Sequence, residues 1–126
     1  MSTLSVATIK SLTSAAPVFQ NSSGTEKGQL AKAWVTYNAS AAVQDSFGIS
    51  SVADTATGNK TVNFSTNFSN INYSVSTMAS EQDNAAFTLV EEDTRAVGSC
   101  VVITRTARTS GKTNFDLVCA IFFGTN

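Results

Sequence analysis

The stretch Leu30-Ala31-Lys32-Ala33-Trp34-Val35-Thr36-Tyr37-Asn38 decides how this chain is read. It holds the single tryptophan, and it separates a loosely patterned polar leader from dense alternation. Successive side chains of a strand point to opposite faces. Trp34, Thr36 and Asn38 therefore share one face, and Ala33, Val35 and Tyr37 share the other. The stretch reads as the first strand of a folded domain spanning residues 30–126. Trp34 is expected either in the core or between subunits. The core is favoured, because indole is costly to leave exposed without a partner.

The period of two continues downstream. Phe47 and Ile49 suggest a second strand after Asp45-Ser46, and Asp54 to Lys60, with Gly58-Asn59, reads as a turn. Val62 and Phe64 oppose Thr61, Asn63 and Ser65. Ile71, Tyr73 and Val75 oppose Asn72, Ser74 and Ser76. Glu81-Gln82-Asp83-Asn84 reads as a loop, and Phe87 and Leu89 follow. Cys100 to Ala107 and Phe115 to Phe123 close the domain, joined by a turn at Ser110-Gly111. About seven short strands with turn residues between them predict an all-β fold, an antiparallel β-sandwich of jelly-roll-like form.

The last strand carries a second message. Phe115, Leu117, Cys119, Ile121 and Phe123 fall on one face, and Val118, Ala120 and Phe122 on the other. A strand apolar on both faces belongs in the middle of a sheet covered twice. One face of a lone sandwich sheet is normally wet, so the surplus apolar face points either to a subunit interface or to a mildly apolar surface. Trp34, Phe115, Leu117, Ile121, Phe122 and Phe123 are the expected core or interface residues.

Residues 1–29 differ. Pro17 stops any helix, and Asn21 to Gly28 is turn and linker chemistry. Leu4, Val6, Ile9, Leu12, Val18 and Phe19 are too many apolar residues for a simple tail. An extended arm that attaches to a neighbour is the expectation. Met1 to Lys10 lacks the basic and apolar regions of a secretory leader, and no apolar run approaches membrane-spanning length.

Composition narrows the function classes. Charged residues are 13% of the chain, about half the roughly 25% usual for globular proteins. Ser and Thr, 17 of each, and ten Asn cover the surface instead. Short polar side chains lose little rotamer entropy when fixed, which suits a permanent assembly. The net charge is −1 with no basic block, so nucleic-acid binding is not expected.

No histidine is present, which removes the commonest general base and most zinc sites. No catalytic, cofactor-binding or metal-binding residue is assigned. Glu91-Glu92-Asp93 reads as a solvated turn rather than a calcium loop, because the EF-hand pattern is missing. Cys100 and Cys119 face each other, lie diagonally or point apart, depending on the register of the closing hairpin. Free thiols acting as small hydrophobes are the favoured reading, and a disulfide the lesser one. Phe64, Phe68, Tyr73 and Phe87, near Asn63, Asn67 and Asn72, are candidate sugar-stacking rings. Their spacing fits core residues better.

Gly28 to Asn38 resembles a module of bacteriophage virion proteins, notably tail-fibre-like proteins of marine and T7-like phages. There, an Ala-Lys-Ala-Trp-Val segment ending in an aromatic and Asn opens the domain. Asp45 to Val52 is similar to the module's second segment, and Gly58 to Thr66 to its glycine turn and Thr-Val-Asn-Phe strand. Asn72-Tyr73-Ser74-Val75 and Val118 to Phe122 match two later strands, and Met1 to Val6 resembles the opening of cyanophage structural proteins. The resemblance implies a non-enzymatic virion protein, a homotrimer attached to other virion proteins by its arm and touching a host cell-surface glycan. The alternatives are a capsid decoration protein and, from another class, a carbohydrate-active depolymerase.

Overall fold

A computed structural model of the chain describes residues 18–20, 22–24, 26–80, 86–106 and 111–125. The chain divides into two compact units after Leu30. In the first unit, β1 (Val18–Gln20) and β2 (Glu26–Gln29) pair as an antiparallel hairpin. Gly24 lies between them with φ 79°. Part of the stretch expected as linker is therefore strand. Phe19 is exposed, and the expected arm residues Leu4, Val6, Ile9 and Leu12 lie outside the described residues.

The second unit is the expected antiparallel β-sandwich. Its strands are β3 (Ala33–Tyr37), β4 (Val43–Phe47), β5 (Ile49–Ala56), β6 (Asn59–Phe64), β7 (Ser74–Ala79), β8 (Ala86–Val90), β9 (Ser99–Thr106) and β10 (Val118–Phe123). The first sheet has the order β4-β3-β10-β7 and the second β5-β6-β9-β8. Pairing of the first strand of the domain with the last, β3 with β10, is the wrapped, jelly-roll-like feature. The hairpins β3–β4, β5–β6 and β8–β9 each stay within one sheet. The described helical content is a single 3-10 turn, Glu92–Thr94.

Local chemistry explains the corners. Asn38 ends β3, and its Oδ1 accepts from the amides of Ser40 and Ala42 and the hydroxyl of Ser40. That side-chain turn reverses the chain into β4. At Gly48 the chain leaves the first sheet for the second. Its φ is 68°, and an added Cβ would sit 2.6 Å from the Lys32 carbonyl oxygen, so only glycine fits without strain. One strand expected around Phe47 and Ile49 is thus two, folded at this glycine.

The core lies between the sheets. Ala33, Val35 and Tyr37 of β3 meet Val62 and Phe64 of β6, Cys100 and Val102 of β9, and Val118, Ala120 and Phe122 of β10. The inward residues recur at period two on each strand, which is why these segments form a sandwich. Phe64 joins the two sheets: its ring meets Phe122 at 4.9 Å, Phe68 at 4.8 Å and Tyr73 at 5.6 Å, each edge-on. Such pairs add about 0.5–1.5 kcal/mol each beyond burial.

Three expectations are corrected. Trp34 is not in the core, because the inward set on β3 is Ala33, Val35 and Tyr37. Cys100 to Ala107 and Phe115 to Phe123 do not form a hairpin: β9 and β10 belong to opposite sheets. The chain between them crosses the sandwich, which a short turn signal does not reveal. Phe115 does not share a face with Leu117, because β10 begins only at Val118. Ahead of the strand, Phe115 turns into the core and Leu117 is exposed.

Candidate functional site

The alternation that buries one side of β3 and β10 presents their other side outward. Val118, Ala120 and Phe122 are buried, whereas Ile121 and Phe123 are 39% and 37% exposed. The strand register then builds an apolar row across the sheet. Ile121 of β10 lies opposite Trp34 of β3, and Trp34 lies opposite Phe47 of β4. Directly opposed residues share a face and touch. In the next row Cys119 lies between Thr36 and Met78, its Sγ 3.6 Å from the Thr36 hydroxyl. Phe47 and Met78 are the most exposed members, at 55% and 65%.

The expected interface residues therefore divide. Trp34, Ile121 and Phe123 come together on the outer face of the first sheet. Phe115 and Phe122 belong to the core, and Leu117 is exposed ahead of β10. Phe47 and Met78 complete the patch and were missed by the sequence reading. Little in the sequence marks them: Met78 shares its face with Ser74 and Ser76, and Phe47 its face with Asp45, so only the register with Cys119 and Trp34 brings them into the patch.

The sugar-stacking rings do not assemble. Phe64, Phe68 and Tyr73 are core residues, and Phe68 stacks on Tyr73 at 4.6 Å. Only Phe87 is exposed, on the edge strand β8 opposite Arg105. Asn63 is engaged with the Ser51 hydroxyl.

Burial raises the pKa of Tyr37, Tyr73 and Cys100 in the core. Burial pushes the Tyr73 phenol up to about 12, helped by Cys100 and opposed by Arg95. Its hydroxyl donates to the carbonyls of Ala96 and Ser99. The Arg95 guanidinium lies 4.5 Å from the ring centroid and donates to the Tyr73 carbonyl. Burial likewise raises Tyr37, with Cys100 and Cys119 adding to the effect. It also raises the Cys100 thiol against the lowering influence of Tyr73 and Arg95. A thiol held protonated is a poor nucleophile.

Both cysteines are free. Cys100 is buried in the core and Cys119 is half-buried on the opposite side of its own sheet. Among the described residues, no group of three or more Cys, Asp or Glu is placed to hold a metal ion, and no helix is long and apolar enough to cross a membrane. No protein-family model, curated protein or solved structure matches the chain.

Proposed function

We propose that this chain is a non-enzymatic structural protein of a bacteriophage particle, tail-fibre-like. Residues 1–29 attach it to other virion proteins, and the sandwich forms a homotrimer that meets a host cell-surface glycan. The observation that carries the reading is the apolar row Phe47–Trp34–Ile121 on the outer face of the first sheet. Large apolar residues at the centre of a sheet face are covered in the working form of a protein, and a second copy of the chain is the occupant proposed. The ordered segment resemblance from Gly28 to Phe122 and the charge-poor surface support the same reading. Function then comes from repetition: weak contacts from several symmetric domains add as avidity.

Immunogold labelling of purified particles tests this. Label at the tail is the expected result. Label spread over the capsid would replace the fibre reading with that of a decoration protein, and particles without the protein would refute both.

A further inference from the structure

Lys60 is the one charged side chain buried among the described residues, at 3% exposure. It sits on the inward side of β6, at the end of the sandwich away from the aromatic cluster. Its Nζ lies 2.8 Å from Asp54 Oδ1 and 2.9 Å from Asn114 Oδ1. The same Asn114 oxygen accepts the Gly58 amide at 2.7 Å, which fixes the orientation of the carboxamide. An amine, a carboxylate and a carboxamide carbon are thus held together, with a backbone donor on the carbonyl oxygen.

The surroundings hold Asn114 in place. Gly58 has φ 67°, and its position leaves no room for a Cβ beside Thr104 and Thr113. The Thr104 amide donates to the Gly58 carbonyl and the Thr113 amide to the Thr104 carbonyl. Asn114 therefore approaches Lys60 on a backbone already tied to β9 and to the β5–β6 turn.

We infer that Lys60 and Asn114 join in an intramolecular isopeptide bond, with Asp54 as the proton carrier. Asp54 takes a proton from the Lys60 ammonium. The free amine pair on Nζ attacks Cγ of Asn114, and the carbonyl electrons move to Oδ1, where the Gly58 N–H meets the developing charge. Asp54 passes its proton to Nδ2 and, as a carboxylate again, takes a second proton from the attacking nitrogen. The Cγ–Nδ2 bond breaks, and ammonia leaves with one proton as ammonium. The balance is one ammonium side chain plus one carboxamide giving one secondary amide plus ammonium. No oxidant, water or cofactor enters. Fixed proximity supplies what two separate groups in water lack. Asp54 is 46% exposed, which gives ammonia a way out.

The bond would tie β6 of the second sheet to the segment leading into β10 of the first. It closes a long loop and so restricts the unfolded chain. The inference stands independently of the particle reading.

Intact-mass spectrometry of the full chain, unfolded in acid, tests it. The expected mass is that of the sequence less one ammonia. Peptide mapping should give a branched peptide joining Lys60 to Asn114, with trypsin failing to cut after Lys60. Asp54→Asn keeps the shape of an exposed side chain and is expected to return the full sequence mass with an unchanged circular dichroism spectrum. A wild-type chain at full sequence mass would overturn the inference. So would ammonia loss confined to a linear peptide, the mark of a succinimide.

Discussion

The outer faces of the two sheets are built on the same backbone geometry and place their large exposed apolar residues differently. On the first sheet the apolar side chains occupy the middle: Trp34 on β3 and Ile121 and Phe123 on β10, with Phe47 beside them. On the second sheet the corresponding middle is mixed: Thr61 and Asn63 of β6 face Ala53 and Ser51 of β5 on one side and Val101 and Ser99 of β9 on the other, and Ile103 of β9 is buried. Its exposed large residues, Phe87 and Leu89, lie on the edge strand β8. The hydroxyls and amides of β5 and β6 are finished when they meet water. An apolar centre is finished only when something covers it. The large exposed apolar residues thus lie at the centre of the first sheet and at the edge of the second.

The largest expected effect contrasts the two sides of one strand. Phe122→Ala removes a fully buried ring and should cost about 3–5 kcal/mol in urea unfolding. Ile121→Ala, one residue away on the outer side, should cost under about 1 kcal/mol when the domain is measured as a monomer. Similar losses at both positions would break the contrast between inner and outer faces.

Next comes the contrast between sheets. Trp34→Ala should weaken self-association by about 2 kcal/mol, roughly thirtyfold in the association constant, as read by sedimentation across a dilution series. Paired changes Thr61→Ala and Asn63→Ala on the second sheet should leave association unchanged.

A smaller effect is set by the core phenol. Tyr73→Phe should cost about 1 kcal/mol, because it removes the hydroxyl's hydrogen bonding to the Ala96 and Ser99 carbonyls. The pH dependence has a definite sign. The folded state holds the Tyr73 proton to about 12, above the ordinary tyrosine value near 10. The stability it contributes is therefore complete below about pH 10 and is lost as pH rises toward 12. Tyr37 and Cys100 are raised in the same direction. Alkaline unfolding curves should steepen through this window, and less so for Tyr73→Phe. Smallest of all, Thr61→Ala alone should lie within about 0.5 kcal/mol of wild type.

The sandwich was legible in the sequence because period-two alternation is a local property. Val62 and Phe64 against Thr61 and Asn63 state their faces without reference to any other strand. β10 also declared its central place through its two apolar faces. Long-range pairing was not legible. Nothing near Ser110 tells whether β9 and β10 pair or cross between sheets. Trp34 was misplaced for a related reason. Alternation gives two faces but does not say which is inward, and bulk suggested the wrong one. Small Ala33 marks the inner side, because the large Phe122 ring opposite it fills that space. The Lys60–Asn114 approach was hidden for the same reason as the strand pairing: the two residues are 54 positions apart.

The outer face of the first sheet is proposed to be covered by other copies of the chain. Light scattering of the full chain after size exclusion tests it most directly. A trimer gives three times the chain mass for wild type, falling to a single chain mass when Trp34 and Ile121 are both changed to Asn. A wild-type protein that stays at one chain mass over a wide concentration range would contradict it.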